Sequence, residues 1–204
     1  QTLRGLTFQK NCTTGRGLYW VNLMTAAIFL DRDGVINENR ADHVKSIREY
    51  RVLPGALDAI VRLSQHYPVF VVTNQPGIDI DAIESIHNYL RDWVISHGGQ
   101  ITDFYYCNHA EDAKCVCRKP KPGMLLQAAL DHGLDLSQSI MMGDQPSDIL
   151  AGQAAGTATV FVQSGLGGYW YRRGLECMPD MMVDDLAMAA DRILKLREQI
   201  AELV

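Results

Sequence analysis

The sequence predicts an α/β fold in which helices cover both faces of a central parallel sheet, giving a three-layer sandwich. Short apolar runs rich in β-branched residues alternate along the chain with longer stretches of helical periodicity, and this alternation is typical of strand-helix-strand units. Two of the runs, 69–73 and 158–162, are apolar almost throughout, as expected for strands that are buried on both faces. A chain of 204 residues fits one such domain.

Strands and helices are predicted in alternation from residue 26 onwards. The strands are expected at 26–30, 69–73, 101–106, 139–142, 158–162 and, more weakly, 181–183. The helices are expected at 54–65, 81–96, 122–132, 146–156 and 185–203. Pro122 and Pro146 occupy favoured first-turn positions of their helices. The glycine-rich stretch 162–174 is interpreted as an exposed loop, with a flexible lid or a phosphate contact as the alternative. The predicted architecture is therefore Rossmann-like.

The composition excludes some classes of function. Hydrophobic residues make up 47% and charged residues 21% of the chain, with a formal net charge of −5, so there is no basic surface of the kind that nucleic acid requires. The apolar stretch 18–30 is too short to span a bilayer. Cleavage of this stretch as a secretory signal would cut into the segment that carries Asp31, so a buried strand is the better interpretation. We expect a cytoplasmic protein, acting as a monomer without a membrane or nucleic-acid partner.

Residues 1–23 differ from the rest because they mix glycine, threonine, asparagine and basic residues without a steady apolar period. Two interpretations remain open: an extension before a start at Met24, or an ordered arm that packs through its apolar segment 18–21. The predicted domain is 24–204.

Polar side chains follow three of the predicted strands. Asp31, Thr73 and Asp144 each stand at the carboxyl end of a strand, and ligands of open α/β sheets bind outside those ends. Asp33 follows Asp31 by two positions, and aspartate is a known nucleophile in phosphoryl transfer. An Asp-x-Asp pair alone is more often a capping or turn feature, so the interpretation depends on the other residues.

A second cluster of possible metal ligands lies within eleven residues, in the segment CNHAEDAKCVC. It contains Cys107, His109, Cys115 and Cys117, and four nitrogen and sulfur ligands suit closed tetrahedral zinc. A reduced cysteine cluster or a redox role for Cys115 and Cys117 is the alternative, but it leaves His109 unexplained.

Four short segments together resemble the motifs of the haloacid dehalogenase (HAD) superfamily of phosphohydrolases. They are DRDG at 31–34, VVTN at 71–74, RKPKPG at 118–123 and GDQPSD at 143–148. The resemblance implies that Asp31 is the nucleophile and Asp33 the general acid and base, while Thr73 and Lys119 contact the transferring phosphoryl group. It also implies a Mg²⁺ site formed by Asp31, the main-chain carbonyl of Asp33 and Asp144, with Asp148 in support. These roles suit a reaction that depends on positioning and charge neutralisation.

The cysteine and histidine cluster directly precedes Arg118 and Lys119. This arrangement narrows the resemblance to one branch of the superfamily. It is similar to the zinc-containing branch that holds the D-glycero-D-manno-heptose 1,7-bisphosphate phosphatases and the histidinol-phosphate phosphatases. The implied cofactors are Mg²⁺ and Zn²⁺, and the implied partner is a small phosphorylated metabolite. Removal of the 7-phosphate of the heptose bisphosphate is the leading hypothesis. Histidinol phosphate or another sugar phosphate, and an inactive zinc-stabilised binding module, are the alternatives.

The intervals between the motifs leave no room for a large cap domain, so substrate contacts are expected from loops. The candidates are Asn39, Asp42, Asn74, Gln75, Arg118 and Gln145. Two positions depart from the common pattern of the branch: Pro76 stands in a shortened loop after Thr73, and Gln145 stands where lysine is frequent. Both departures remove positive charge that a second phosphate would use.

Overall fold

A computed structural model describes residues 25–110 and 112–202. Residues 1–23, for which an extension and an ordered arm were both considered, lie outside the described residues. The strands are β1 (Ile28–Leu30), β2 (Val69–Asn74), β3 (Asp103–Cys107), β4 (Ile140–Gly143), β5 (Ala158–Val162) and β6 (Met181–Val183). The helices are α1 (Ala56–Ser64), α2 (Ile80–Ser96), α3 (Gly123–His132), α4 (Pro146–Ala155), α5 (Gly167–Arg173) and α6 (Leu186–Glu202).

The six strands form one parallel sheet in the order β3-β2-β1-β4-β5-β6. The strand order reverses around β1, whose neighbours are β2 and β4. Such a reversal opens a crevice at the carboxyl ends of the strands. The predicted fold class is therefore confirmed, and the sheet directs β1, β2 and β4 toward one edge.

Alternate residues of the central strands build two apolar layers. Ile28 and Leu30 face α1, α2 and α6, whereas Phe29 and Phe70 face α3 and α4. Because strand side chains alternate between faces, one buried strand supplies both layers and its ends are held rigidly. None of the helices in the described part of the chain is long and apolar enough to cross a lipid bilayer.

The third strand begins and ends later than the sequence predicts. It was expected at 101–106 and is observed at Asp103–Cys107, because the parallel register with β2 pairs Phe70 with Asp103 and Asn74 with Cys107. The first residue of the cysteine and histidine cluster therefore belongs to the sheet.

The interpretation of 162–174 as an exposed loop is wrong, because α5 spans Gly167–Arg173. Glycine disfavours helices, but Gly167 is buried and a Cβ there would lie 2.0 Å from the carbonyl oxygen of Val162. Trp170 packs against the cluster formed by Ile149, Phe161 and Cys177. Tertiary contact thus outweighs the weak local propensity of the segment.

No inserted domain is found between Asp33 and Lys119 in the described chain. The segment after β1 contains a short 3₁₀ helix, Ile47–Glu49, and α1, and the segment after β2 contains α2, β3 and the cysteine and histidine loop. In the described chain, loops and the first turn of α4 accordingly cover this edge of the sheet.

Candidate active site

The carboxyl ends of β1, β2 and β4 border a cleft of about 270 Å³. Its walls contain Asp31, Asp33, Asn39, Arg40, Ala41, His43, Thr73, Asn74, Pro76, Arg118, Lys119, Gln145, Ser147, Asp148 and Leu166. All four segments that carry the sequence motifs therefore meet at one place.

Lys119 is the cation at the base of this cleft. Its Nζ lies 2.6 Å from Oδ1 of Asp31 and 2.7 Å from Oδ1 of Asp148, and it donates to the carbonyl oxygen of Val72 at 2.8 Å. The side chain is only 2% exposed. Burial lowers the pKa of Lys119, but the charges of Asp148 and Asp31 outweigh this effect and raise it, so the ammonium group stays charged.

Three buried carboxylates converge beside this single ammonium group. Asp31, Asp144 and Asp148 place ligand oxygens within 4.8 Å of one another. Burial raises the pKa of Asp31 to about 7 against the opposing charge of Lys119. Burial, together with the charges of Asp31 and Asp148, raises the pKa of Asp144 well above its usual value. Three carboxyl groups therefore face one ammonium group, and binding of a cation or of protons would relieve the repulsion among their charges.

One carboxylate oxygen of Asp144 accepts hydrogen bonds from the protein, and the other has no hydrogen-bond partner. Its Oδ2 accepts hydrogen bonds from Nδ2 of Asn39 at 2.8 Å and from the main-chain N–H of Leu166 at 2.7 Å. Its Oδ1 is buried without a hydrogen-bond partner. A buried carboxylate oxygen without a donor is costly, and a hard cation such as Mg²⁺ would satisfy it. The donor set therefore fits magnesium.

Asp148 is held from two sides. It lies in the first turn of α4, and its Oδ2 accepts from the main-chain N–H of Gln145 at 3.0 Å while Oδ1 contacts Lys119. Both oxygens of Asp148 are therefore engaged by protein groups, which agrees with its expected supporting role beside the metal site.

Asp33 is surrounded by four donors. Arg32 donates through Nε and an η nitrogen at 3.1 and 3.0 Å, and Asn37 and Gln75 donate through their amides at 2.8 and 2.7 Å. Burial raises the pKa of Asp33, but the charge of Arg32 and these hydrogen bonds outweigh it and lower the pKa. The guanidinium of Arg32, which is fully buried, was not singled out by the sequence analysis, since a single Arg between two acids carries no distinctive signal.

Three predicted substrate contacts use their amides within the protein. Asn39 binds Asp144, as described. Asn74 binds the main chain of Lys119 from both sides, accepting from its N–H and donating to its carbonyl oxygen, each at 3.1 Å. Gln75 is fully buried between Asp33 and Thr73. The structure thus places these three side chains against predicted catalytic residues.

The remaining predicted contacts divide between the cleft and the surface. Arg118 and Gln145 line the cleft. Asp42 is exposed, and its carboxylate contacts Lys45 at 2.9 Å and Arg40 at 3.2 Å. Asp42 does not line the cleft, whereas its neighbours Arg40 and His43 do.

The segment before α5 belongs to the site, although the sequence analysis preferred to interpret it as an exposed loop. Ser164 donates to the carbonyl oxygen of Gly34 at 2.7 Å, and Leu166 donates to Asp144. A Cβ on Gly165 would lie 2.3 Å from Cα of Gly34, so glycine is required for this approach. The glycines of 165–168 were the signal in the sequence that could have revealed it.

The cysteine and histidine cluster lies beside the cleft. Nδ1 of His109 is 3.5 Å from Sγ of Cys107 and 3.3 Å from Sγ of Cys117, and the sulfurs of Cys107 and Cys115 are 3.6 Å apart. All four ligand atoms lie within 4.8 Å of one another, which fits one tetrahedral ion with Zn–S bonds of about 2.3 Å. Burial raises the pKa of the Cys115 thiol, but hydrogen bonds from the main chain of Arg118 and from the neighbouring thiols lower it to about 7.

A parallel sheet with a strand-end aspartate pair and a buried lysine defines a hydrolase of the HAD class, and comparisons with known proteins agree. The HAD-hydrolase-like family profile matches residues 116–189. The D-glycero-β-D-manno-heptose-1,7-bisphosphate 7-phosphatase of Pseudomonas aeruginosa is 39% identical over 176 residues, covering 82% of this chain and 97% of that protein.

Solved structures lead to the same family. The D,D-heptose 1,7-bisphosphate phosphatase of Bordetella bronchiseptica, complexed with magnesium and phosphate, superposes with a TM-score of 0.80 at 35% identity, covering 83% of this chain and 98% of that one. The corresponding protein of Burkholderia thailandensis gives a TM-score of 0.65 at 29% identity, covering 83% and 98%. The chain therefore belongs to the HAD superfamily, in the branch that contains the heptose bisphosphate phosphatases.

Proposed function

We propose that this protein removes the 7-phosphate of D-glycero-β-D-manno-heptose 1,7-bisphosphate through a covalent phosphoryl-Asp31 intermediate. The chain is a phosphatase of the HAD superfamily, and relatives that it matches over nearly their whole length bear this activity in their names. The bond from Lys119 to both Asp31 and Asp148, beside the unpartnered Oδ1 of Asp144, is the observation that carries the proposal.

The first half of the reaction uses residues from β1, β2 and the loop after Cys117. An oxygen of Asp31 attacks phosphorus while the bond from phosphorus to the sugar oxygen breaks, and Asp33 gives a proton to that oxygen. Thr73 donates its hydroxyl hydrogen to the phosphoryl group, and Lys119 neutralises part of its charge. These contributions suit a loose transition state, in which charge is spread over the phosphoryl oxygens.

The second half releases phosphate. Asp33, now a carboxylate, takes a proton from water while the water oxygen attacks phosphorus, and the bond to Asp31 breaks. The donors around Asp33 favour its carboxylate form, which this half of the reaction requires, whereas the first half requires Asp33 to carry a proton against that preference.

The magnesium ion would be held by Asp31, the main-chain carbonyl of Asp33 and Asp144, with Asp148 in support. When bound, magnesium supplies positive charge that stabilises the phosphoryl oxygens. The excess of carboxylates over ammonium groups at this place supports the assignment.

A zinc ion held by Cys107, His109, Cys115 and Cys117 would order the loop that leads into Arg118 and Lys119. Support comes from the four converging ligand atoms and from Cys107, which is anchored in β3. Zinc in this role is structural, since four protein ligands leave no open position for a substrate.

The sugar and its second phosphate would lie along the outer walls of the cleft. Arg118 and Arg40 both line the cleft and would supply positive charge there, where Gln145 and the shortened loop at Pro76 supply none. Bidentate donation to phosphate oxygens is the usual role of arginine in such sites.

The test is release of inorganic phosphate by the purified protein from both anomers of the heptose 1,7-bisphosphate and from histidinol phosphate, with and without magnesium. We expect magnesium-dependent turnover, with the highest kcat/KM for the β-anomer and release of one phosphate per molecule. Faster turnover of histidinol phosphate would overturn the substrate assignment. Absence of turnover with these substrates and with p-nitrophenyl phosphate would instead favour a binding module.

A further inference from the structure

Gln75 occupies an unusual place between two residues of the proposed mechanism. It follows β2 directly and is fully buried. Its Nε2 donates to Oδ2 of Asp33 at 2.7 Å and to Oγ1 of Thr73 at 2.8 Å. One amide nitrogen therefore connects the acid to the hydroxyl group that faces the phosphoryl group.

Chemistry decides which way this amide points. A carboxylate only accepts hydrogen bonds, so the NH₂ group, and not the amide oxygen, must face Asp33. The second hydrogen of the same nitrogen then reaches Thr73. Since the Thr73 oxygen accepts from Gln75, its own hydroxyl hydrogen stays available for donation into the cleft that Thr73 lines.

The other donors to Asp33 do not make this connection. Arg32 donates to the carboxylate alone, and Asn37 donates to the carboxylate and to the carbonyl oxygen of Glu38, so neither of them contacts Thr73. Gln75 is also fixed through its backbone, because its N–H donates to the carbonyl oxygen of Cys107 at 2.7 Å. This hydrogen bond to β3 fixes the position of Gln75. The side chain of Asp33 keeps 12% of its surface exposed.

We propose that Gln75 is a positioning residue that aims the carboxyl group of Asp33 at the leaving oxygen and directs the hydroxyl hydrogen of Thr73 toward the phosphoryl group. Gln75 acts through these two side chains and does not touch the sugar. The inference rests on the proposed function, in which Asp33 protonates the leaving group.

The dependence of kcat/KM on the leaving group distinguishes this positioning role from a merely structural one. A sugar alkoxide leaves poorly and needs a proton from Asp33, whereas p-nitrophenolate leaves readily without one. The value of kcat/KM covers the steps up to loss of the leaving group. It should therefore be compared for heptose bisphosphate and p-nitrophenyl phosphate in the wild-type protein and in Gln75→Met, a substitution that keeps the length of the side chain but removes both hydrogen bonds.

We expect kcat/KM of Gln75→Met to fall by roughly 100-fold for the sugar phosphate, the lower end of general acid catalysis, and by only a few-fold for p-nitrophenyl phosphate. Gln75→Glu should show a larger loss for the sugar phosphate, because its carboxylate would face that of Asp33. Gln65→Met is the matched control, since Gln65 is exposed and donates only to the carbonyl oxygen of Gly98; both values should stay at the wild-type level.

Partial unfolding of a variant lowers both rates by the same factor and leaves their ratio unchanged, so the ratio is decisive. Equal losses for the two substrates in Gln75→Met would overturn the positioning of Asp33 by Gln75 while leaving the proposed function intact. A wild-type protein that hydrolyses neither substrate would instead contradict the proposed function.

Discussion

The two clusters of candidate metal ligands differ in where the chain places them. Asp31, Asp144 and Asp148 come from two strand ends and the first turn of a helix, and all three are buried. In the other cluster, Cys107 ends β3, whereas His109, Cys115 and Cys117 lie in the loop that follows, in which His109 is exposed. The oxygen cluster is thus held by the rigid sheet, whereas the sulfur cluster must hold its own loop together.

The two clusters therefore have different roles in the proposed function. The rigid cluster places three carboxyl groups beside Lys119, an arrangement that suits a hard cation for phosphoryl chemistry. The loop cluster delivers Arg118 and Lys119 to the same cleft, and Asn74 binds the main chain of Lys119. Changes in the first cluster should therefore affect chemistry and magnesium, whereas changes in the second should affect stability and substrate binding.

The largest effect is expected for Asp31→Asn, which removes the nucleophile with almost no change in shape. Turnover of the sugar phosphate should fall by a factor on the order of 10⁴ or more, measured as phosphate release, while the zinc content measured by mass spectrometry should not change. Asp92→Asn, an exposed position on α2, is the control. Magnesium-dependent phosphate release that persists in Asp31→Asn would contradict the assignment.

The next effect concerns Asp144→Asn. The oxygen of the new amide still accepts from Asn39 and Leu166, but the negative charge at the position of Oδ1 is lost. Magnesium affinity, measured by isothermal titration calorimetry, should fall by at least about 100-fold, with zinc content unaffected. Unchanged magnesium affinity would mean that Asp144 does not bind the ion.

In the second cluster, Cys117→Ser should release most of the zinc. We expect Tm to fall by roughly 5 °C or more, as about 2 kcal/mol of lost stability implies for a domain of this size, and KM to rise more than kcat falls. Magnesium affinity should be retained. Cys177→Ala, a cysteine remote from the cluster, should keep its zinc; full zinc content in Cys117→Ser would count against the proposed site.

The smallest effect is expected for Asn39→Ala, which removes one of the two donors to Oδ2 of Asp144. Magnesium affinity should fall by about 10-fold, as is usual for the loss of a residue that orients a ligand, and raised magnesium should restore turnover. Glu38→Ala changes the exposed neighbour and should have no effect. A rise in KM for the sugar phosphate without any change in magnesium affinity would restore Asn39 to the role of a substrate contact.

The sequence permitted much of this description because its signals are local. The apolar runs predicted all six strands, and two of them, 158–162 and 181–183, match the structure residue for residue. The cluster at 107–117 was visible because its four members lie within eleven positions. Helix α5 was not predicted because a glycine-rich segment has little intrinsic preference for a helix. The helix depends instead on the packing of Trp170.

The sequence by itself determined the order of the six strands and of every helix except α5, the strand-end acids and the ligand types, since these follow from periodicity, turn residues and side-chain chemistry. Tertiary structure alone decided which partner each polar side chain takes. The amides of Asn39, Asn74 and Gln75 looked alike as polar loop residues, yet they bind Asp144, Lys119 and Asp33. The physical reason is that a hydrogen bond depends on distances of about 3 Å between atoms of segments far apart in the chain, and only the packed sheet brings those segments together.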